Sequence, residues 1–441
     1  MASRLFRSIK SRLAGGKPTP KTSPALASHY TAAKDPDPDT IICYVSRSSA
    51  LVLSTPEDSQ ILPKLSELQI RNPTAGFISG DDVFNNAKVY IVVSILSGNQ
   101  LASPFYEKML IPVLQRLKIL ENKYEVVHTK DSNTIIDLTK KTLLPQANDG
   151  IRQLVILLSG DGGVVDILNA LSPRSENYIS PEISLIPMGT GNALANSSGL
   201  TDPTYGLSTL TRGQARDLPM FKATFSKGAR LVVDQGCQEE ELPSHNEEGS
   251  PYMYGAVVCS WGMHAGLVAD SDTTEYRKFG VERFKMAAKE ALYPADGSPA
   301  HHYMAKVSLI LHGSTEWIEV PREEHAYVLT TVVSNLEKGF TISPRSKSLD
   351  STMRVVHFGP MAGDDIMGLM TKAYQGGKHI DEESVSYEEV ERVRISFEGR
   401  EDDSRWRRIC VDGKIIRVES DGWVEIQKQA QSILTLRYLE R

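Results

Sequence analysis

The chain has 441 residues and a formal net charge of −6. That length suggests two or three domains with ample material for cores, and the acidic balance argues against a general nucleic-acid binder. No apolar run reaches membrane-spanning length, and Cys43, Cys237, Cys259 and Cys410 are scattered without metal-ligand spacing or a dense disulfide framework, which suits a reducing compartment.

Residues 1–34 contain no acid, and Arg4, Arg7, Lys10 and Arg12 lie beside Leu5, Phe6, Ile9 and Leu13. This short basic amphipathic pattern, within a segment bounded at 1–35, suits an anionic membrane surface. The alternatives are a disordered basic tail, given the Pro- and Ser-containing stretch that follows, and a mitochondrial import signal. A cytoplasmic protein associated peripherally with membranes is the expectation. Residues 36–86 read as a small β-rich element, with Thr40 to Val45 and Ala50 to Ser54 as a hairpin.

An α/β pattern occupies 87–210. Val89 to Ile95 and Tyr124 to Thr129 read as strands, and Pro104 to Leu120 and Asp131 to Leu144 as helices. Two units of the same design follow. Leu154 to Leu158 form a buried strand that enters Ser159-Gly160-Asp161-Gly162-Gly163, after which Val164, Ile167, Leu168 and Leu171 recur at helical spacing. Ile183 to Ile186 repeat the strand before Gly189-Thr190-Gly191-Asn192 and the Ala193-Leu194-Ala195 helix start. Glycines let backbone N–H groups approach a phosphate, and a helix N-terminus adds positive potential. Two such turns predict a polyphosphate cradle at the C-terminal ends of a mainly parallel sheet. Neither turn contains a lysine, and neither the P-loop nor the dinucleotide fingerprint is present.

From 211 to 441 the texture changes to short β runs suited to an antiparallel sandwich, interrupted by a helix-like stretch from Gly363 to Tyr374. The block from Ser260 to Phe284 reads as a strand and a charged helix. His264, His301 and His302 lack ligand spacing and read as core or surface residues.

The Ser159–Gly163 turn with Asn169, and Pro187-Met188-Gly189-Thr190-Gly191-Asn192-Ala193, resemble the paired glycine blocks of the diacylglycerol kinase catalytic domain family. That family includes sphingosine and ceramide kinases. The 260–284 block resembles the sphingosine kinase segment that runs from a Trp-Gly pair through acids to Tyr-Arg and Arg-Phe. The resemblance implies a Rossmann-like nucleotide domain, of the phosphofructokinase and NAD kinase type, followed by a β-sandwich lipid domain. It implies ATP and Mg²⁺ as cofactors and a membrane lipid as partner. Its nucleotide-site residues would be Ser97, Gly98, Ser159, Gly160, Gly162, Gly163, Gly189, Thr190, Gly191 and Asn192, with Arg277 and Arg283 on the phosphates. Asp161 would be the lead base and Asp412 a second catalytic acid. Asp270, with Asp272 as rival, would read the head group of a sphingoid base, the first-choice acceptor. Diacylglycerol or ceramide is the alternative acceptor, and a lipid-binding pseudokinase or an NAD kinase-like enzyme the alternative activity.

Three departures feed the pseudokinase reading. The first strand's loop retains one glycine, Gly98. Lys414 stands where the family has a glutamate after Asp412-Gly413, and Ser351-Thr352 replace an acid and a glycine after Asp350. Asp166 occupies the family's glutamate position. Independently of the resemblance, Asp412-Gly413 between β runs is a hairpin signal of type I′.

Overall fold

The computed structural model describes residues 84, 86–117, 119–280 and 282–439, together with the backbone of strands Thr40–Val45, Leu51–Ser54 and Ser66–Arg71. The basic pattern of residues 1–34 lies outside the described residues. The three N-terminal strands form an antiparallel sheet with Thr40–Val45 in the middle, so the expected hairpin gains a third strand.

The α/β layer is built on β1 (Lys88–Val93), β2 (Tyr124–His128), β3 (Gln153–Ser159) and β4 (Glu182–Pro187), paired in parallel in the order β2-β1-β3-β4. Every residue of β3 is buried. A strand covered on both faces can be apolar at consecutive positions, which is why its sequence shows no alternation. The C-terminal strand Thr435–Tyr438 returns to this layer, parallel to β4 and antiparallel to Gln214–Asp217. The 2-1-3-4 order differs from the 3-2-1-4-5-6 order of dinucleotide-binding sheets. The Rossmann-like expectation therefore reduces to a mixed α/β layer closed by a strand from the far end of the chain.

The second layer was expected to be a sandwich of separate sheets. It is one 14-stranded antiparallel sheet curled on itself. β5 (Pro251–Gly255) and β6 (Val258–Gly262) enter its two halves. The long strand β7 (Ser386–Ser396) joins the halves: Ser386 to Glu389 pair with Arg354–Phe358, and Arg392 to Ser396 pair with Trp423–Lys428. The fold at β7 gives the layer two inner faces without breaking the hydrogen-bond ladder.

The largest apolar cluster is shared between the layers. Helix α1 (Asp161–Ala170) contributes Val164, Ile167 and Leu168 to the cluster that holds Phe221, Met253 and Trp261 of the curled sheet. Asn169 locks the junction. Its amide donates to Tyr254 O (2.9 Å) and accepts from Tyr254 N–H (2.8 Å), which continues the edge of β5 like one more peptide unit.

Candidate active site

The two glycine turns meet back to back. A Cβ on Gly189 would lie 2.5 Å from Gly160 Cα, and one on Gly160 would lie 2.8 Å from Gly189 Cα. Only residues without side chains permit this approach. Gly98, at φ +50°, closes the third side, where a Cβ would meet Met188 O at 2.4 Å. Asn192 adopts a left-handed backbone (φ 52°) and holds the second turn through Gly189. Its Oδ1 accepts from Gly189 N–H and its Nδ2 donates to Gly189 O, both at 2.8 Å.

Asp161 joins the turns. Its carboxylate accepts Ala193 N–H at 2.7 Å and Leu194 N–H at 3.0 Å, capping helix α2 (Ala193–Ser197). Burial raises its pKa against the lowering effect of these bonds.

Asp412 approaches from the curled sheet. It sits in the turn between β8 (Arg408–Val411) and β9 (Lys414–Arg417), with φ 47° at Asp412 and 88° at Gly413. The hairpin reading of Asp-Gly is thus met, and the side chain does more. It accepts N–H bonds from Ala256 (2.6 Å), Val257 (3.1 Å) and Val258 (2.6 Å). Burial pushes its pKa up to about 7; these bonds lower it and the charge of Asp161 raises it further.

Lys414 has a defined partner. Its Nζ lies 3.0 Å from Asp166 on α1, linking the two layers beside the site. The cation at the family's glutamate position is therefore paired with the acid at the family's other glutamate position. Burial raises the Asp166 pKa, and Lys414 opposes that.

These residues open into a cavity of about 760 Å³. Ser97, Gly98, Ser159 to Gly163, Gly189 to Asn192, Asp272, Arg283 and Asp412 line it together. Its remaining wall is largely apolar. Met263, Leu267 and Val268 come from α3 (Met263–Asp270), and Phe284 and Ala288 from α4 (Glu282–Leu292). Met367 and Met370 come from α5 (Gly363–Ala373).

Two expected site residues stand off the wall. Asp270 is held by Arg405 and Arg408, each at 2.9 Å, and Arg277 is an exposed residue that pairs with Asp272 at 2.9 Å. Asp272, the rival, is on the wall, and Arg283 reaches it at 3.3 Å. Arg283 packs over the Phe284 ring, and burial lowers its pKa. Its Nε is buried without a hydrogen-bond partner.

Sequence reasoning missed several wall residues. His264, read as core or surface, lines the cavity. The Met367 and Met370 pair is spaced three apart on an amphipathic helix, a usable signal for a second wall element. Trp261 is fully buried core, not wall. At Asp350 the carboxylate is occupied by its own turn, accepting Lys347 N–H (2.8 Å) and Thr352 N–H (3.1 Å).

Residues 88–223 match the model of the diacylglycerol kinase catalytic domain. The match is confined to that segment of the chain. Sphingosine kinase B of Dictyostelium discoideum is 41% identical over 66 residues, an alignment covering 14% of this chain and 9% of that protein. A solved structure described as a diacylglycerol kinase of Bacillus anthracis str. Sterne superposes with a TM-score of 0.53 at 16% identity, covering 80% of this chain and 95% of the other. A second from the same source gives 0.50 at 16% identity, with 80% and 97% covered. At these identities the likeness establishes a shared fold.

Among the described residues no group of three or more His, Cys, Asp or Glu side chains is arranged to hold a metal ion. Among the described residues no helix is long and apolar enough to cross a membrane.

Proposed function

We propose that the protein transfers the γ-phosphoryl group of ATP to a primary hydroxyl of a membrane lipid, with diacylglycerol or ceramide as acceptor. One observation carries this reading: a single cavity joins the paired glycine turns to a long apolar wall. Phosphates suit the first part and acyl chains the second.

The turns, with no side chains in the way, let phosphate oxygens reach backbone N–H groups, and Arg283 adds a guanidinium on the same cavity wall. Asp161 is the lead base. Its cap bonds hold it in place, and its raised pKa moves it toward the range in which a carboxylate accepts a proton near neutrality. The acceptor oxygen forms the new bond to the γ-phosphorus as its proton passes to Asp161. The bond from that phosphorus to the β–γ bridging oxygen breaks, and ADP leaves. Mg²⁺ would enter with ATP, as part of the nucleotide substrate.

An uncharged acceptor is favoured over a sphingoid base because both acids expected to bind an ammonium are engaged by arginines: Asp270 by Arg405 and Arg408, Asp272 by Arg277 and Arg283. The second reading, a sphingoid base, is supported by the position of Asp272 on the wall and by the 66-residue match to sphingosine kinase B. It requires Asp272 to be released by both Arg277 and Arg283.

The test is phosphate transfer from labelled Mg-ATP to diacylglycerol, ceramide and a sphingoid base in mixed micelles, with Asp161→Asn as control. Label on diacylglycerol or ceramide, absent in the variant, is expected. Label on the sphingoid base alone would move the assignment to the second reading, and no label on any lipid from folded protein would leave a lipid-binding pseudokinase.

A further inference from the structure

A second cavity, of about 320 Å³, lies beside the second glycine turn. It shares Thr190, Gly191, Asn192, Lys285, Glu337 and Tyr374 with the first cavity, whereas Asn196, Thr201 and Lys338 line the second and not the first.

Lys338 is placed there by a hairpin. Asn335–Glu337 pairs with Phe340–Thr341, so Lys338 and Gly339, at φ 85°, make the turn. The hairpin is tied to α2: Ser197 Oγ accepts Asn335 N–H at 2.9 Å and donates to Asn335 O at 3.2 Å. Among the described residues Lys338, which is exposed, makes no ion pair or hydrogen bond.

The glycine turn itself favours an acceptor ligand. Its carbonyl oxygens are already engaged: Gly189 O accepts from Asn192 Nδ2 at 2.8 Å, and Gly191 O and Asn192 O each accept from Asn196 Nδ2 at 2.9 Å. The hydroxyls of Thr190 and Thr201, both exposed residues, have no hydrogen-bond partner among the described residues. Lys285 on α4 is the second cation. Its Nζ lies 2.8 Å from Glu282, an exposed pair three residues apart, and such pairs are weak enough for the ammonium to turn to a ligand. The one acid on the wall, Glu337, accepts the Tyr374 O–H.

Two ammonium groups and two free hydroxyls against one engaged carboxylate select an anion. A phosphomonoester fits them best, because near neutral pH it carries close to two negative charges and three terminal acceptor oxygens. The volume, at the small end for ligand cavities, suits a phosphate on a short alcohol.

We propose that this cavity is a second binding site, for a phosphomonoester, with Lys338 as its anchoring cation. The ester is supplied either by the head group of a phosphorylated lipid or by a free soluble phosphate ester. The site borders the active cavity through Thr190 to Asn192 but uses neither Asp161 nor Arg283, so it goes beyond the lipid kinase reading and does not depend on it.

The test is calorimetric titration of the full chain with glycerol 3-phosphate and with dihexanoylphosphatidic acid, and with glycerol as the uncharged control. Each titration is run with and without a saturating non-hydrolysable ATP analogue. Wild type is expected to bind at least one of the two esters saturably, and not glycerol, with an affinity that the analogue changes by no more than a few-fold. Lys338→Ala should weaken that binding about tenfold, the loss of one charge-assisted hydrogen bond, and Lys338→Arg should retain most of it. Neither substitution should alter binding of the ATP analogue by more than a few-fold. Tighter binding of the lipid identifies a head group as the ligand, and equal or tighter binding of glycerol 3-phosphate a free ester. No saturable binding of either ester, displacement of the ester by the ATP analogue, or an unchanged affinity in a folded Lys338→Ala protein overturns the proposal. Failure of phosphate transfer to every lipid would remove the kinase reading and leave this result untouched.

Discussion

Asp412→Asn isolates what it costs to keep a carboxylate charged beside the cavity. The carboxyl is 8% exposed, and burial outweighs three N–H contacts to push its pKa up to about 7. An unfolded aspartate titrates near 3.9. Between these values the folded chain keeps a proton that the unfolded chain has lost, so the contribution of this group to stability falls as pH rises. Integrated from pH 5 to pH 7, the loss is about 2 kcal/mol. Asparagine cannot ionise and removes that slope. His264 and His325, lowered to about 4 by burial, act in the opposite direction: their contribution is lost as pH falls below about 6.5. Both histidines remain in the variant, so their effect cancels in the difference. The assay is urea denaturation of wild type and variant at pH 5, 6 and 7. The stability advantage of wild type should shrink by about 2 kcal/mol across the series. A constant difference would refute the reasoning, because it would mean that the N–H groups of Ala256, Val257 and Val258 keep the carboxylate ionised throughout.

Three further substitutions test the site. Asp161→Asn weakens the cap on Ala193 and Leu194, costing about 1 kcal/mol in denaturation, and should lower phosphate transfer by at least about 100-fold. Lys414→Met leaves Asp166 without its cation and should cost about 1–2 kcal/mol, moderated because Lys414 is a third exposed; the double variant with Asp166→Asn should recover most of that in a denaturation cycle. Gly189→Ala drives a methyl into Gly160 and should weaken binding of a fluorescent ATP analogue at least about tenfold, whereas Gly162→Ala, which meets nothing within 4 Å, should bind within a few-fold of wild type.

The legible parts of the site were those encoded over a few residues. The apolar runs of β3 and β4 with their glycine turns announced a parallel sheet and turns of bare backbone, because strand, turn and helix signals are local. Asp412-Gly413 announced its turn for the same reason. Which of Asp270 and Asp272 lines the cavity was not legible. It depends on Arg405 and Arg408, which reach Asp270 from 135 and 138 positions along the chain. The pairing of Lys414 with Asp166 joins two layers, and no spacing in the sequence encodes it. His264 looked like one more histidine near a strand until the cavity formed around it.

By itself the sequence determined the local chemistry of this protein: which strands would be buried, where the backbone would be bare, and which acids lay near those turns. The tertiary structure decided which charges are free and which are spent. It also decided that the second layer is a single sheet folded at β7, and that the last strand closes the first layer. The physical reason is range. Backbone conformation and apolar periodicity are set within a few residues, whereas ion pairing and cavity walls depend on groups brought together only when distant strands pair and the two layers bury their common core.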